Sequence, residues 1–392
     1  MIIFVASEIT TEFEMRKIAM VDLSGQYHRV KSDIDQAIQR VLDSAVFVKG
    51  SEVKDFESEL AAYLGVKHVI ACGNGTDALQ ICLMALGLKP GDEVITPDFT
   101  FISTVEVSAL LGLKPVLVDV ESGTFNMDIA SLEKAITPKT KVIIPVHLFG
   151  QCANMDEIIR IAAERGITVI EDVAQALSAD YTFRIGKKVK AGTMGRMACT
   201  SFFPSKNLGC FGDGGAIMTN DSELAGTLSA ITHHGMRKRY YYDLTGVNSR
   251  LDNIQAAILR VKLRHLDEYS AARNEAARYY DNALGSIKGI TIPERSAFTT
   301  HVFHQYTIKL EGIDREALMK HLETRGIPSM IYYPFPCHLQ QAFKYLNYRE
   351  GDFPVTEALC KSVLSLPMHT EMDEEQLKLI CNSIIEFVAG KP

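Results

Sequence analysis

The chain has 392 residues, 47% of them hydrophobic and 23% charged, enough for one large α/β unit with a smaller companion. A formal net charge of −7 argues against a nucleic-acid partner, and no apolar run approaches the length of a membrane span. The eight cysteines form no CxxC pair and read as reduced core thiols of a cytoplasmic protein, rather than a disulfide framework or zinc site.

Residues 1–14 contain a short apolar run, Ile2–Ala6, followed by Glu8, Glu12 and Glu14. They are too short and acidic for a signal peptide and are read as an extension. Residues 32–47 place Ile34, Ala37, Ile38, Val41, Leu42 and Ala45 at helical spacing, and a second helix through Val53, Phe56, Leu60 and Tyr63 stops at Gly65. Short apolar strands then alternate with helices. The strand at 67–72 precedes a helix from Gly75, that at 93–96 one near Thr104, and that at 114–120 one capped by Asp128. A strand at 141–148 precedes a helix over 155–165, and 167–170 runs into Glu171-Asp172-Val-Ala-Gln175. Such alternation predicts a mostly parallel sheet covered on both faces.

Near Arg250 the pattern changes. A long helical region over 251–284 carries Leu251, Ile254, Ala257, Ile258 and Val261 on one face. A strand over 302–310, a helix over 315–325 and a last helix over 374–388 follow. The expected organisation is therefore an extension (1–14), a large unit (15–250), and a connecting helix with a small C-terminal α+β unit (251–392).

Lys206 stands where an apolar strand ends in a Pro-Ser turn, shortly before Gly212-Asp-Gly-Gly215. A lysine at a strand mouth in apolar surroundings loses its proton readily and attacks carbonyls to form a Schiff base. Gly73-Asn-Gly75-Thr-Asp-Ala78 offers backbone N–H groups and a helix N-terminus to a phosphate. With Asp98 downstream it also matches a dinucleotide fingerprint, so a nicotinamide-dependent dehydrogenase competes at this point. The strand-end acid and lysine separate the two readings. Pyridoxal phosphate needs a lysine for its aldehyde, a carboxylate for its pyridine nitrogen, a phosphate site and a ring face. Lys206, Asp172, Gly75-Thr76 and Phe101 supply these in turn.

Seven motifs then resemble the DegT/DnrJ/EryC1/StrS sugar aminotransferases, from about Val21 to Leu366. They are Gly75-Thr-Asp-Ala-Leu, Gly91-Asp-Glu-Val-Ile-Thr, Pro145-Val-His-Leu-Phe-Gly, Glu171-Asp-x-x-Gln, Ser201-Phe-x-Pro-x-Lys-Asn-Leu-Gly, Gly212-Asp-Gly-Gly-Ala and Asn248-Ser-Arg-Leu-Asp. The resemblance implies the fold-type-I pyridoxal phosphate architecture, a large domain with a mixed, mostly parallel sheet plus a smaller C-terminal α+β domain. It implies that Lys206 forms the Schiff base and moves the proton, and that Asp172 pairs with the pyridinium. Gln175 would bond near the ring oxygen, Phe101 would stack on the ring, and Gly75, Thr76 and Ser201 would hold the phosphate. Asn248 would reach the phosphate of a neighbouring subunit, giving a homodimer with shared sites. The stretches Cys199–Lys206 and Val247–Asp252 are most similar to enzymes that aminate C3 of UDP-linked 3-keto-2-acetamido-glucuronic acid with glutamate, in cell-surface polysaccharide synthesis.

A nucleotide sugar brings a diphosphate and a uronic acid brings a carboxylate, so cations are expected, first Arg250 and then Arg29 with His28. Tyr332 stands where relatives often have histidine in a segment expected to face the substrate. No metal is expected. The basic stretch after Tyr181 (Arg184, Lys187, Lys188, Lys190) also bears on the choice of sugar. Related dehydratases carry histidine in place of the Schiff-base lysine, which Lys206 disfavours. A non-catalytic cofactor-binding regulator stays open on fold alone.

Overall fold

The computed structural model describes residues 17–390; the reading of residues 1–14 as an extension lies outside them. Seven strands form the central sheet: β1 (His68–Cys72), β2 (Glu93–Pro97), β3 (Lys114–Val118), β4 (Thr140–Ile143), β5 (Thr168–Asp172), β6 (Met197–Ser201) and β7 (Gly215–Thr219). Their order is β1-β7-β6-β5-β4-β2-β3. Strands β3, β2, β4, β5 and β6 pair in parallel, while β7 runs antiparallel to both β6 and β1. This is the mixed, mostly parallel sheet that the alternation predicts.

Successive residues of each strand feed two different cores, as the two-residue period of a strand requires. Ile70, Val94, Val142, Ile170 and Ile217 pack with helices Gly75–Ala85 and Ser222–Ile231. Val69, Ile95, Ile143, Val169 and Met218 pack on the opposite face with helices Ser51–Leu64, Met155–Arg165 and Asn253–Leu263. The helix that Gly65 was expected to stop does end there, on a left-handed φ of 73° that glycine adopts without strain.

A second, antiparallel sheet joins Ile290–Thr291, Tyr306–Leu310 and Val363–Leu366. It shares a core with helices Arg315–Thr324, Glu374–Val388 and Leu266–Leu284, and with Ile18 from the start of the described chain. No helix among the described residues is long and apolar enough to cross a membrane.

Two sequence expectations change. The long helix over 251–284 is broken into Asn253–Leu263 and Leu266–Leu284, with His265 leaving helical geometry at φ −105° and ψ 2°. The first piece lays Ala257, Ile258 and Val261 against Ile34, Ala37 and Val41, whereas the second turns towards the small sheet. The strand expected from Val302 begins only at Tyr306. Its first residues bond to a turn instead of a strand: Val302 N–H donates to the Gly150 carbonyl at 2.8 Å.

Candidate active site

The ends of β5 and β6, the N-terminus of helix Gly75–Ala85 and a loop at Ile331–Pro334 enclose one cavity of about 830 Å³. Ligands favour the carboxyl ends of parallel strands because the loops there converge. Of the residues singled out from sequence, Gly75, Thr76, Phe101, Asp172, Gln175, Ser201, Lys206 and Tyr332 all line it.

Asp172 ends β5. One carboxylate oxygen accepts the Ala174 N–H at 3.0 Å and the other accepts the Thr104 hydroxyl at 3.1 Å, so its orientation is fixed. Burial raises its pKa, opposed by the Ala174 N–H and the Lys206 charge; a cation placed against it would favour the ionised form. The adjacent Glu171 faces the other way. It accepts N–H bonds from Gly192, Met194 and Gly195 and lies 3.0 Å from His147 Nε2. That acid is a loop tie, distinct from the site.

Lys206 reaches into the cavity, where burial lowers its amine to a pKa of about 8 and Asp172 pulls the other way. Gln175 is gripped at both ends of its amide: Oε1 accepts the Phe149 N–H at 2.8 Å, and Nε2 donates to the Tyr333 hydroxyl at 3.1 Å. Phe101 is an apolar ring left 55% exposed on the cavity wall.

At the other end, Asn74 caps helix Gly75–Ala85 by accepting the Asp77 N–H at 2.8 Å. Ser249 closes the preceding turn, accepting from Gly73 N–H and donating to Asp77. A Cβ on Gly75 would sit 2.7 Å from the Ser201 Cβ. Only glycine lets the helix N-terminus and the serine meet, and together they form an anion cradle.

The donor set suits pyridoxal phosphate. Thr100 Oγ1, Thr200 Oγ1, His304 Nδ1 and Gln305 Oε1 are buried without a hydrogen-bond partner, and all four residues line the cavity. Together with Lys206, Asp172 and the glycine-serine cradle, these residues put polar groups on the wall of one cavity, as ligand sites do. The nicotinamide alternative loses its ribose carboxylate: Asp98 Oδ1 accepts the His338 N–H, and Oδ2 lies 2.6 Å from His338 Nδ1.

Asn248, Arg250, Arg29 and His28 do not line this chain's cavity. Asn248 is exposed and bridges to His233. Arg29 pairs with Glu371 at 3.0 Å, and His28 lies exposed beside the Ser24 carbonyl. The basic stretch is paired locally, Lys188 and Lys190 with Asp180 and Arg184 with Glu157. Residues that sequence reasoning missed are Thr104, Tyr333, His304 and Gln305. Only Tyr333 carried a signal, as the neighbour of Tyr332.

Comparison with known proteins agrees with this geometry. The DegT/DnrJ/EryC1/StrS aminotransferase family model matches residues 28–385. A protein of Geobacillus stearothermophilus named pleiotropic regulatory protein is 47% identical over 94% of this chain and 98% of its own. The UDP-2-acetamido-2-deoxy-3-oxo-D-glucuronate aminotransferase of Pseudomonas aeruginosa is 46% identical over 94% of this chain and 99% of its own. The crystal structure of S. venezuelae DesV in complex with a ketimine intermediate superposes with a TM-score of 0.91 at 39% identity, covering 95% of this chain and 98% of that one. The chain belongs to the DegT/DnrJ/EryC1/StrS aminotransferase family and is a pyridoxal phosphate-dependent aminotransferase.

Proposed function

We propose that the protein moves an amino group from L-glutamate to C3 of UDP-2-acetamido-3-keto-glucuronic acid, in the cytoplasm, as a step in making a sugar for a cell-surface polysaccharide such as an O-antigen. The observation that carries this choice of sugar is the 46% identity, over nearly the whole of both chains, to an enzyme named for that substrate. The second reading is another keto sugar, because relatives named for dTDP-linked substrates match at 38–40%.

When bound, pyridoxal phosphate supplies an electron sink that stabilises charge at the carbon being aminated. The chain's own residues do the rest. Gly75 and Thr76 N–H groups and the Ser201 hydroxyl would hold the phosphate, and Phe101 would cover the ring face. Asp172 presents an oriented carboxylate to the ring nitrogen, and Gln175 stands ready for the ring oxygen. Lys206 Nζ would hold the cofactor aldehyde, and its amine would carry a proton to and from the reacting carbon.

Asn248 and Arg250 are assigned to the cavity of a second copy, making the active unit a homodimer with shared sites. Arg29 and His28 are secondary candidates for the anionic parts of the sugar nucleotide, and Tyr332 for its sugar. A panel of UDP-, dTDP- and GDP-linked keto sugars, offered one at a time to the pyridoxamine-loaded protein, tests the reading. Return of the pyridoxal absorbance with the 3-keto-glucuronate alone supports it, whereas return with a dTDP sugar alone selects the alternative.

A further inference from the structure

Lys206 lies between β6 and β7, in neither a helix nor a strand, so its aim depends on what holds its loop. The two legs of that loop meet. Cys210 N–H donates to the Phe202 carbonyl at 2.8 Å and closes it at the base. Within it, Lys206 N–H donates to the Phe203 carbonyl at 2.8 Å. A Cβ on Gly209 would overlap the Pro204 carbonyl, so glycine is what lets the legs touch. Next to the lysine, buried Asn207 donates from Nδ2 to the Val302 carbonyl at 3.0 Å.

Helix Asn253–Leu263 backs the returning leg. Gln255 and Lys262 are about two turns apart and so share one face of it. Gln255 grips a single peptide position twice: Oε1 accepts the Phe211 N–H at 2.8 Å, and Nε2 donates to the Phe211 carbonyl at 3.4 Å. Lys262 Nζ donates to the Gly209 carbonyl at 2.6 Å. The helix can bear on the loop because its other sides are held. Ala257, Ile258 and Val261 pack in one core, and Ala256, Leu259 and Leu263 in another.

The choice of lysine at 262 is informative. Lys262 is 2% exposed, and among the described residues the Gly209 carbonyl is its hydrogen-bond acceptor. Burial holds its pKa down at about 8, with Cys210 pulling up and Arg273 pulling down. A buried cation without a carboxylate is costly, and a methionine would fill the same space without that cost. What the lysine adds is an N–H for a buried carbonyl, a group that folded chains rarely leave unmet. A neutral amine still donates, so this grip survives loss of the Lys262 proton.

We propose that Gln255 and Lys262 are positioning residues for Lys206, acting through the backbone of its loop from outside the cavity, which neither of them lines. The assignment rests on the Schiff-base role proposed for Lys206. By fixing the returning leg they keep the Lys206 amine aimed at the cofactor aldehyde, where the C=N bond forms as water leaves.

The test separates the aim of the lysine from occupancy of the site. Apo-protein is offered pyridoxal phosphate, and covalent uptake is followed by absorbance and trapped with borohydride. It is separately offered deoxypyridoxine phosphate, which keeps the ring and phosphate but carries a methyl in place of the aldehyde. Lys262→Met removes the donor at similar volume, Gln255→Met removes both amide bonds, and Gln255→Glu restores the acceptor for the Phe211 N–H. Uptake should slow about ten- to 100-fold in each methionine variant, the range for a reacting group displaced by up to about 1 Å, with most of the loss recovered in Gln255→Glu. The Kd of the deoxy analogue should stay at the wild-type value in all three. Wild-type uptake rates in both methionine variants, or equal losses of uptake rate and analogue affinity, would overturn the positioning role. If Lys262→Met does not fold, the two variants at half-buried Gln255 decide alone. If the wild type takes up no cofactor covalently, or Lys206→Ala takes it up as fast, the reading of Lys206 itself has failed.

Discussion

At Lys206 the chemistry turns on one proton. The amine attacks only when uncharged, and burial brings its pKa from the ordinary range near 10.5 down to about 8. The sign follows directly: the reactive fraction is small below pH 7, half at about 8, and nearly complete by about 9. Covalent uptake of pyridoxal phosphate by the apo-protein should therefore accelerate between pH 7 and 9 and then level off. Stopped-flow absorbance measures it, and acceleration continuing to pH 10 would show an ordinary, solvated lysine. Lys206 and Asp172 were legible in the sequence because Asp172 ends one apolar strand and Lys206 follows another after a short Pro-Ser turn, so short-range pattern alone set them at the carboxyl edge of the sheet. His304, Gln305 and Tyr333 were not. Tyr333 meets Gln175 across 158 positions of sequence, and His304 lies in a stretch whose apolar alternation read as strand. Its backbone bonds to the Gly150 turn instead, and no local periodicity encodes that.

At the scale of elements, the phosphate cradle proposed at Gly75 and Ser201 depends on how closely helix Gly75–Ala85 approaches β6. Gly75→Ala places a methyl 2.7 Å from the Ser201 Cβ. Overpacking of this kind costs about 1–3 kcal/mol, so cofactor affinity should fall roughly five- to 100-fold with circular dichroism unchanged. An unaltered Kd would mean the cradle lies elsewhere. A second junction ties the end of β2 to the segment after Tyr333. There buried His338 lies 2.6 Å from Asp98 and 3.2 Å from Glu357. Burial lowers the His338 pKa, but hydrogen bonding and charge from Asp98 and Glu357 outweigh it, and the net shift is upward. A raised folded-state pKa gives stability that is complete below the unfolded value of about 6.5 and fades as pH climbs through the folded one. His338→Ala leaves Asp98 without its partner and should cost roughly 3–5 kcal/mol at pH 6. Denaturant melts should show a smaller cost at pH 9, and an equal cost at both pH values would remove charge from the explanation. Strand and helix order was readable throughout this region, since two- and 3.6-residue periods are local. The break at Arg264-His265 was not, because it reflects which of two cores each half of the helix joins.

For the molecule as a whole, one chain brings Gly75, Thr76, Phe101, Asp172, Ser201 and Lys206 to one cavity, while Asn248 and Arg250 stay outside it. The role proposed for Asn248 needs a second copy, which no single-chain pattern could reveal. If it acts across a dimer, mixing inactive Lys206→Ala and Asn248→Ala subunits restores one intact site in each mixed dimer. A random mixture should then regain roughly a quarter of wild-type activity. No recovery after subunit exchange is verified would place Asn248 in its own chain's site. The family assignment itself reaches across residues 28–385, so the central claim, amino transfer to a nucleotide-linked keto sugar, concerns the entire fold. The most direct measurement follows the cofactor absorbance of wild-type protein through two additions. Glutamate should bleach the pyridoxal band, and the UDP-linked 3-keto-glucuronate should restore it within the same sample, with Lys206→Ala showing neither change. A band that glutamate bleaches but no nucleotide-linked keto sugar restores would contradict the account.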